Sequence, residues 1–123
     1  MNNWYTKDDV KKLFADSDND LVKLALHSNS SKLFDPECAH YLDVYNDRFA
    51  KLRDKPINIL EIGVKDGDSL RLWKEYFHPE SKIYGVELNP EPLLDFRQEN
   101  TRLFFGSQTD IKFLNKITEQ IGK

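Results

Sequence analysis

Between Asn58 and Asn89 the chain reads as a strand, a glycine loop, a helix and a second strand that ends on an acid, an order few folds accommodate. Ile57-Asn58-Ile59-Leu60-Glu61-Ile62 is apolar and β-branched with little polar interruption, the pattern of a buried strand in a parallel sheet. Gly63 to Gly67 make the loop, and Leu70, Trp73, Tyr76 and Phe77 mark the apolar face of a short helix that Pro79 stops. Ile83-Tyr84-Gly85-Val86-Glu87-Leu88 is the second strand. Strands joined through a helix imply a βαβ unit, a parallel sheet and a right-handed crossover.

The flanking sequence extends this α/β pattern. Pro90 to Gln98 predicts a short helix and Arg102-Leu103-Phe104-Phe105 a third strand. A closing helix carries Ile111, Leu114, Ile117 and Ile121 on one face, with Thr109 or Ser107 as its cap. Before the sheet, Val10, Leu13 and Phe14 suggest one short helix and Leu21, Val22, Leu24 and Leu26 a second, separated by the polar run Asp16 to Asp20. A third helix begins at Asp35-Pro36 and carries Cys38, Tyr41, Leu42, Tyr45, Phe49 and Leu52 at three- and four-residue spacing. The expected organisation is a helical amino-terminal cap over residues 1–55 and a partial Rossmann-like domain over residues 56–123. The latter is a three-layer half-domain with about three parallel strands.

Charge narrows the partners. Eighteen basic residues against 21 acidic leave a net charge of −3, without the basic footprint of a nucleic-acid or membrane-surface binder. The single Cys38 cannot close an internal disulfide, and no apolar run approaches the ~18 residues of a membrane span. With no signal-peptide pattern at Met1 to Asp9, a cytoplasmic location is expected. Asp16, Asp18 and Asp20 imitate the start of a calcium loop, but Leu21 replaces its glycine and His27 its closing acid, so a solvated turn is expected. His27, His40 and His78 are too scattered for a metal site. Tyr41, Tyr45, Trp73, Tyr76 and Phe77 read as core.

In a doubly wound sheet the ligand sits beyond the carboxyl ends of the strands, so residues just after Ile62, Leu88 and Phe105 line any pocket. Glu87 lies twenty residues after Gly67, where nucleoside-binding folds place the acid that accepts hydrogen bonds from ribose hydroxyls. A dinucleotide fingerprint needs glycine at positions 63, 65 and 68, but Lys65 and Asp68 occupy two of them. Asp66 and Asp68 at the helix start also repel a pyrophosphate. A cationic sulfonium with an amino group suits Glu61, Asp66 and Asp68 better, which favours S-adenosylmethionine over NAD. Asp68 and Ser69 read first as helix caps.

These residues resemble the class I S-adenosylmethionine-dependent methyltransferases, and among them the sugar O-methyltransferases of macrolide biosynthesis. The resemblance spans about His40 to Leu114: Tyr41-Leu42 with Tyr45, Arg48 and Phe49; Leu60 to Val64; Gly67, Ser69-Leu70 and Trp73; Tyr76-Phe77; Ile83 to Glu87; and Gly106 to Asp110 with Phe113-Leu114. It implies that Glu61, Gly63 and Gly67, with the neighbouring Asp68, form the cradle for the amino-acid part of the cofactor. Glu87 would take the ribose, and Ser107 with Gln108 the adenine. Two positions depart from the family pattern: Asp68 stands where relatives carry glycine, and Ser107 where an acid often meets adenine.

Lys123 falls where the family's fourth strand would begin, and the family's metal-binding acids, catalytic base and acceptor pocket lie beyond it. The resemblance therefore implies a partial or truncated domain with a cofactor loop, no metal site, no assigned catalytic residue and no activity by itself. The alternative is a non-catalytic interaction module whose first strand, on an open sheet edge, pairs with a second copy or a partner chain. An NAD-binding module is the weaker third reading.

Overall fold

The computed structural model describes residues 6–28 and 41–122, which fall into two compact units, Met1–Asp54 and Lys55–Lys123. The helix start expected at Asp35-Pro36, with Cys38 and His40, lies outside the described residues.

In the first unit, α1 (Lys7–Phe14) opens on a capping box: the Thr6 hydroxyl accepts from the Asp9 N–H, and the Asp9 carboxylate accepts from the Thr6 N–H. Leu13 is exposed, so the apolar face expected for this helix is only partly buried. Asn19 caps α2 (Asp20–Ser28) by accepting the Val22 N–H. Its amide also donates to the Leu42 carbonyl and the Asp43 carboxylate of α3 (Tyr41–Phe49). Leu21, Val22, Ala25 and Leu42 are the buried core of this unit. Asp20, one of the three acids that imitate a calcium loop, pairs with Arg53 at 2.7 Å. Tyr41 is exposed, contrary to its expected place in the core, while Tyr45 is half-buried and stacks on Phe49 at 5.7 Å.

The second unit is the βα half-fold. Strands β1 (Asn58–Ile62), β2 (Lys82–Glu87) and β3 (Thr101–Phe105) form a parallel sheet in the order β1-β2-β3. Helix α4 (Asp68–Tyr76) joins β1 to β2, and α5 (Ile111–Ile121) follows β3. Register aligns Leu60 with Tyr84, Ile62 with Val86, and Val86 with Phe104. Successive residues of a strand face opposite sides, so each helix takes one face. Val86 and Phe104 pack on Ile117 of α5, flanked by Tyr84, Phe113 and Ile121. On the other face a Cβ at Gly85 would meet Leu70 of α4 at 3.1 Å and Val64 at 2.9 Å, so this strand position must be glycine for the helix to approach. Trp73, Tyr76 and Phe77 are buried as expected.

β1 lies on the open sheet edge, as expected of a three-stranded piece, so despite its buried-strand pattern its Leu60 and Ile62 are 47% and 50% exposed. Three expectations are corrected. The helix expected over Pro90 to Gln98 is a 3₁₀ turn, Glu91–Leu93, followed by further turns. The Arg97 guanidinium donates to the Leu94 and Phe96 carbonyls, which a continuing helix would need for itself. The cap of α5 is Asp110, which accepts the Phe113 N–H, whereas Ser107 is engaged with Thr109. Ile111, placed by periodicity on the buried face, is 73% exposed at the helix start. Among the described residues no helix is long and apolar enough to cross a membrane.

Candidate functional site

The loop after β1 is built on backbone conformations that side chains rarely adopt. The Gly63 N–H donates to the Val86 carbonyl at 2.7 Å, extending the β1–β2 pairing by one bond, and its φ of +80° then turns the chain away from the sheet. Val64 dips into the core, Lys65 takes a φ of +56°, and the Gly67 N–H closes the turn onto the Val64 carbonyl at 2.9 Å. Gly67 (φ +85°) is the N-cap of α4, and the Asp66 carboxylate accepts the Asp68 N–H. The N-cap is thus Gly67, which has no side chain to cap with, and Asp68 is the first helical residue rather than the cap.

Glu87 faces this loop from the end of β2. Its Oε1 accepts the Lys65 N–H at 2.7 Å, while its Oε2 accepts the Leu88 and Asn89 N–H groups at 2.9 and 3.1 Å. The bond from Lys65, then that from Asn89, and more weakly that from Leu88 hold its carboxyl below the ordinary value, against a small opposing effect of burial. Glu87 is thus a carboxylate at neutral pH.

A cleft of about 280 Å³ opens at the carboxyl ends of all three strands, lined by Ile62, Gly63, Val86, Glu87, Leu88, Gly106, Ser107, Gln108 and Thr109. That is close to the lower limit of about 300 Å³ for small-molecule sites. Its lining combines apolar Ile62, Val86 and the 70% exposed Leu88 with polar Ser107, Gln108 and Thr109. Nothing stands within 4 Å of where a Cβ on Gly63 would lie, so a ligand can reach the backbone there.

Of the seven residues singled out from sequence, Gly63, Glu87, Ser107 and Gln108 come together on this wall. Glu61, Gly67 and Asp68 do not. Strand alternation puts Glu61 on the α4 side, where its Oε1 accepts the Trp73 indole N–H at 3.3 Å. Gly67 is buried beneath the Phe96 ring and Leu93. Leu88 and Thr109, on the wall but not singled out, follow the rule that residues just beyond the strand ends line the site.

No family model matches the chain. It is 34% identical over 89 residues to 8-demethyl-8-(2-methoxy-α-L-rhamnosyl)-tetracenomycin-C 3′-O-methyltransferase of Streptomyces olivaceus, covering 67% of this chain and 22% of that protein. With L-olivosyl-oleandolide 3-O-methyltransferase of Streptomyces antibioticus it shares 31% identity over 113 residues, 83% of this chain and 27% of that one. Among solved structures, the MycE methyltransferase from the mycinamycin biosynthetic pathway, in complex with Mg, SAH and mycinamycin VI, matches 99% of this chain and 34% of its own length. The TM-score of that match is 0.58 at 27% sequence identity. The chain thus spans about a fifth to a third of the length of these relatives. In sequence and in fold, it is a relative of the macrolide and sugar O-methyltransferases, matching one part of those larger proteins.

Proposed function

We propose that this chain binds S-adenosylmethionine in the cleft beyond β1, β2 and β3, as the cofactor-holding part of an O-methyltransferase acting on a sugar hydroxyl. The observation that carries the reading is Glu87: an ionised carboxylate at the end of the second strand, on the cleft wall and facing the glycine loop. Its chemistry suits the ribose hydroxyls of a nucleoside. The apolar stretch of Ile62, Val86 and Leu88 suits the flat face of a base, and Ser107 and Gln108 offer donors and acceptors to its edge. Gly63 lets the methionine portion approach the main chain.

Glu61, Gly67 and Asp68, off the wall, serve by shaping and anchoring the loop to which Gly63 belongs. Asp66 and Asp68 at the start of α4 favour a cationic ligand over a pyrophosphate. When bound, the cofactor supplies an electrophilic methyl group on sulfonium sulfur; these residues bind and orient it. Isothermal titration with S-adenosylhomocysteine tests the reading. Saturable heat in the wild type, weakened about tenfold or more in Glu87→Ala, is expected, and a folded wild type that gives no heat at millimolar ligand would sink it.

The exposed Leu60 and Ile62 on edge strand β1 support a second reading, in which the chain associates through that edge with another copy or a partner strand. Light scattering after size exclusion decides it: a mass above one chain that falls to one chain in Leu60→Lys favours association, and a strict monomer at all concentrations contradicts it.

A further inference from the structure

Gly67 is the hinge between the glycine loop and α4. Its φ is +85°, its N–H donates to the Val64 carbonyl at 2.9 Å, and its carbonyl accepts the Arg71 N–H at 3.1 Å. Glycine has the widest conformational freedom of any residue, so one conformation is kept only where the surroundings hold it. The Phe96 ring does so here: its Cε2 and Cδ2 stand 2.5 and 2.7 Å from where a Cβ on Gly67 would lie, with a Leu93 methyl at 3.3 Å. The exposed Arg71 guanidinium lies over the same ring, 5.1 Å from its centroid, a cation–π distance.

The segment that carries Phe96 is itself fixed. The Arg97 guanidinium donates to the Leu94 and Phe96 carbonyls at 3.3 and 2.7 Å. The Gln98 amide donates to the Leu70 carbonyl of α4 at 3.0 Å and to the Thr101 hydroxyl of β3 at 2.9 Å. This segment leaves the cleft wall at Glu87 and Leu88, whereas Phe96, Gly67 and Arg71 do not line the cleft. It meets the loop after β1 twice: at Lys65, whose N–H donates to Glu87, and at Gly67, on which Phe96 sits.

We propose that Phe96, braced by Arg71, is a positioning residue for the cofactor site: by fixing the Gly67 hinge it sets where the Gly63 backbone meets the methionine portion of the ligand, without touching the ligand. The proposal rests on the cofactor reading above. Small displacements of a supporting group carry over into function, about a hundredfold for roughly 1 Å in the strongest cases. The effect of Phe96 is confined to one end of the ligand, because the ribose and base lie against residues outside the hinge.

Two measurements on the full chain test this. Amide hydrogen exchange without ligand examines the hinge. The Gly67 and Arg71 amides are expected to exchange about tenfold or more faster in Phe96→Ala than in the wild type, with the Leu114 amide of α5 unchanged. Equal exchange in the two proteins overturns the brace. Titration calorimetry with S-adenosylhomocysteine and with adenosine, which lacks the amino-acid portion, examines the positioning. Phe96→Ala is expected to lose about tenfold or more for S-adenosylhomocysteine and to stay within about twofold for adenosine, and Phe96→Tyr to stay within about twofold for both. Arg71→Gln, an exposed change that carries the comparison if Phe96→Ala fails to fold, should lose about twofold to fivefold for S-adenosylhomocysteine alone. Equal losses for the two ligands, as general loosening of the fold would give, or no loss for either, overturn the proposal. A wild type that binds neither ligand overturns the cofactor reading and the positioning role with it, while the exchange comparison decides the brace by itself.

Discussion

Three backbone N–H groups aimed at Glu87 keep its carboxyl below the ordinary value of 4.5, and this makes the loop sensitive to acid. A depressed folded value contributes stability that is fully present above 4.5 and lost as pH falls through the lower folded value. Asp9, held by the Thr6 backbone and hydroxyl, shifts in the same direction, so the acid loss of the wild type alone does not isolate Glu87. Glu87→Gln does: in urea unfolding followed from pH 7 to pH 3, the stability gap between wild type and variant should be constant at neutral pH and shrink below 4.5. A gap that widens on acidification would contradict the assignment. Glycines give a second test at this scale. Gly67 combines a φ of +85° with a Phe96 ring carbon 2.5 Å from its would-be Cβ, whereas Gly63 (φ +80°) has open space there. Gly67→Ala should cost about 2–4 kcal/mol from backbone strain plus overpacking, and Gly63→Ala only the backbone part, about 1–2 kcal/mol. Denaturant midpoints of the two variants check the order.

At the level of elements, α5 is held at both ends by chemistry that the sequence states unequally. Its packing was legible: Ile117 falls where the helical period puts it, buried against Val86 and Phe104. Ile117→Ala is expected to cost about 2–5 kcal/mol by thermal or urea unfolding. Its start was not legible, because Ser107, Thr109 and Asp110 are all competent caps and spacing does not choose among them. The Ser107 hydroxyl accepts from the Thr109 N–H and so leaves Asp110 to cap. Asp110→Ala should therefore cost about 1 kcal/mol and Thr109→Ala less. The three strands and their parallel order could be read because β-branched runs and one helical crossover admit few arrangements. The short helix expected at Pro90 to Gln98 stops after the 3₁₀ turn Glu91–Leu93, beyond which Arg97 takes the Leu94 and Phe96 carbonyls, while Leu93 and Phe96 both come down on Gly67. Strand alternation relative to Ile62 sets Glu61 on the α4 side, against the Trp73 indole.

For the molecule as a whole, the three strand ends converge on one cleft that gathers Gly63, Glu87, Ser107 and Gln108 from separate parts of the chain. The relationship to sugar O-methyltransferases extends over a fifth to a third of their length. Binding of the cofactor by this chain is the claim on which the account turns. The most direct measurement is a ¹H–¹⁵N correlation spectrum of the chain titrated with S-adenosylhomocysteine to millimolar concentration. The account predicts saturable shifts confined to the amides of Gly63, Glu87, Leu88 and Gly106 to Thr109. A well-dispersed spectrum in which those amides stay in place, or in which shifts appear only away from the cleft, would contradict it.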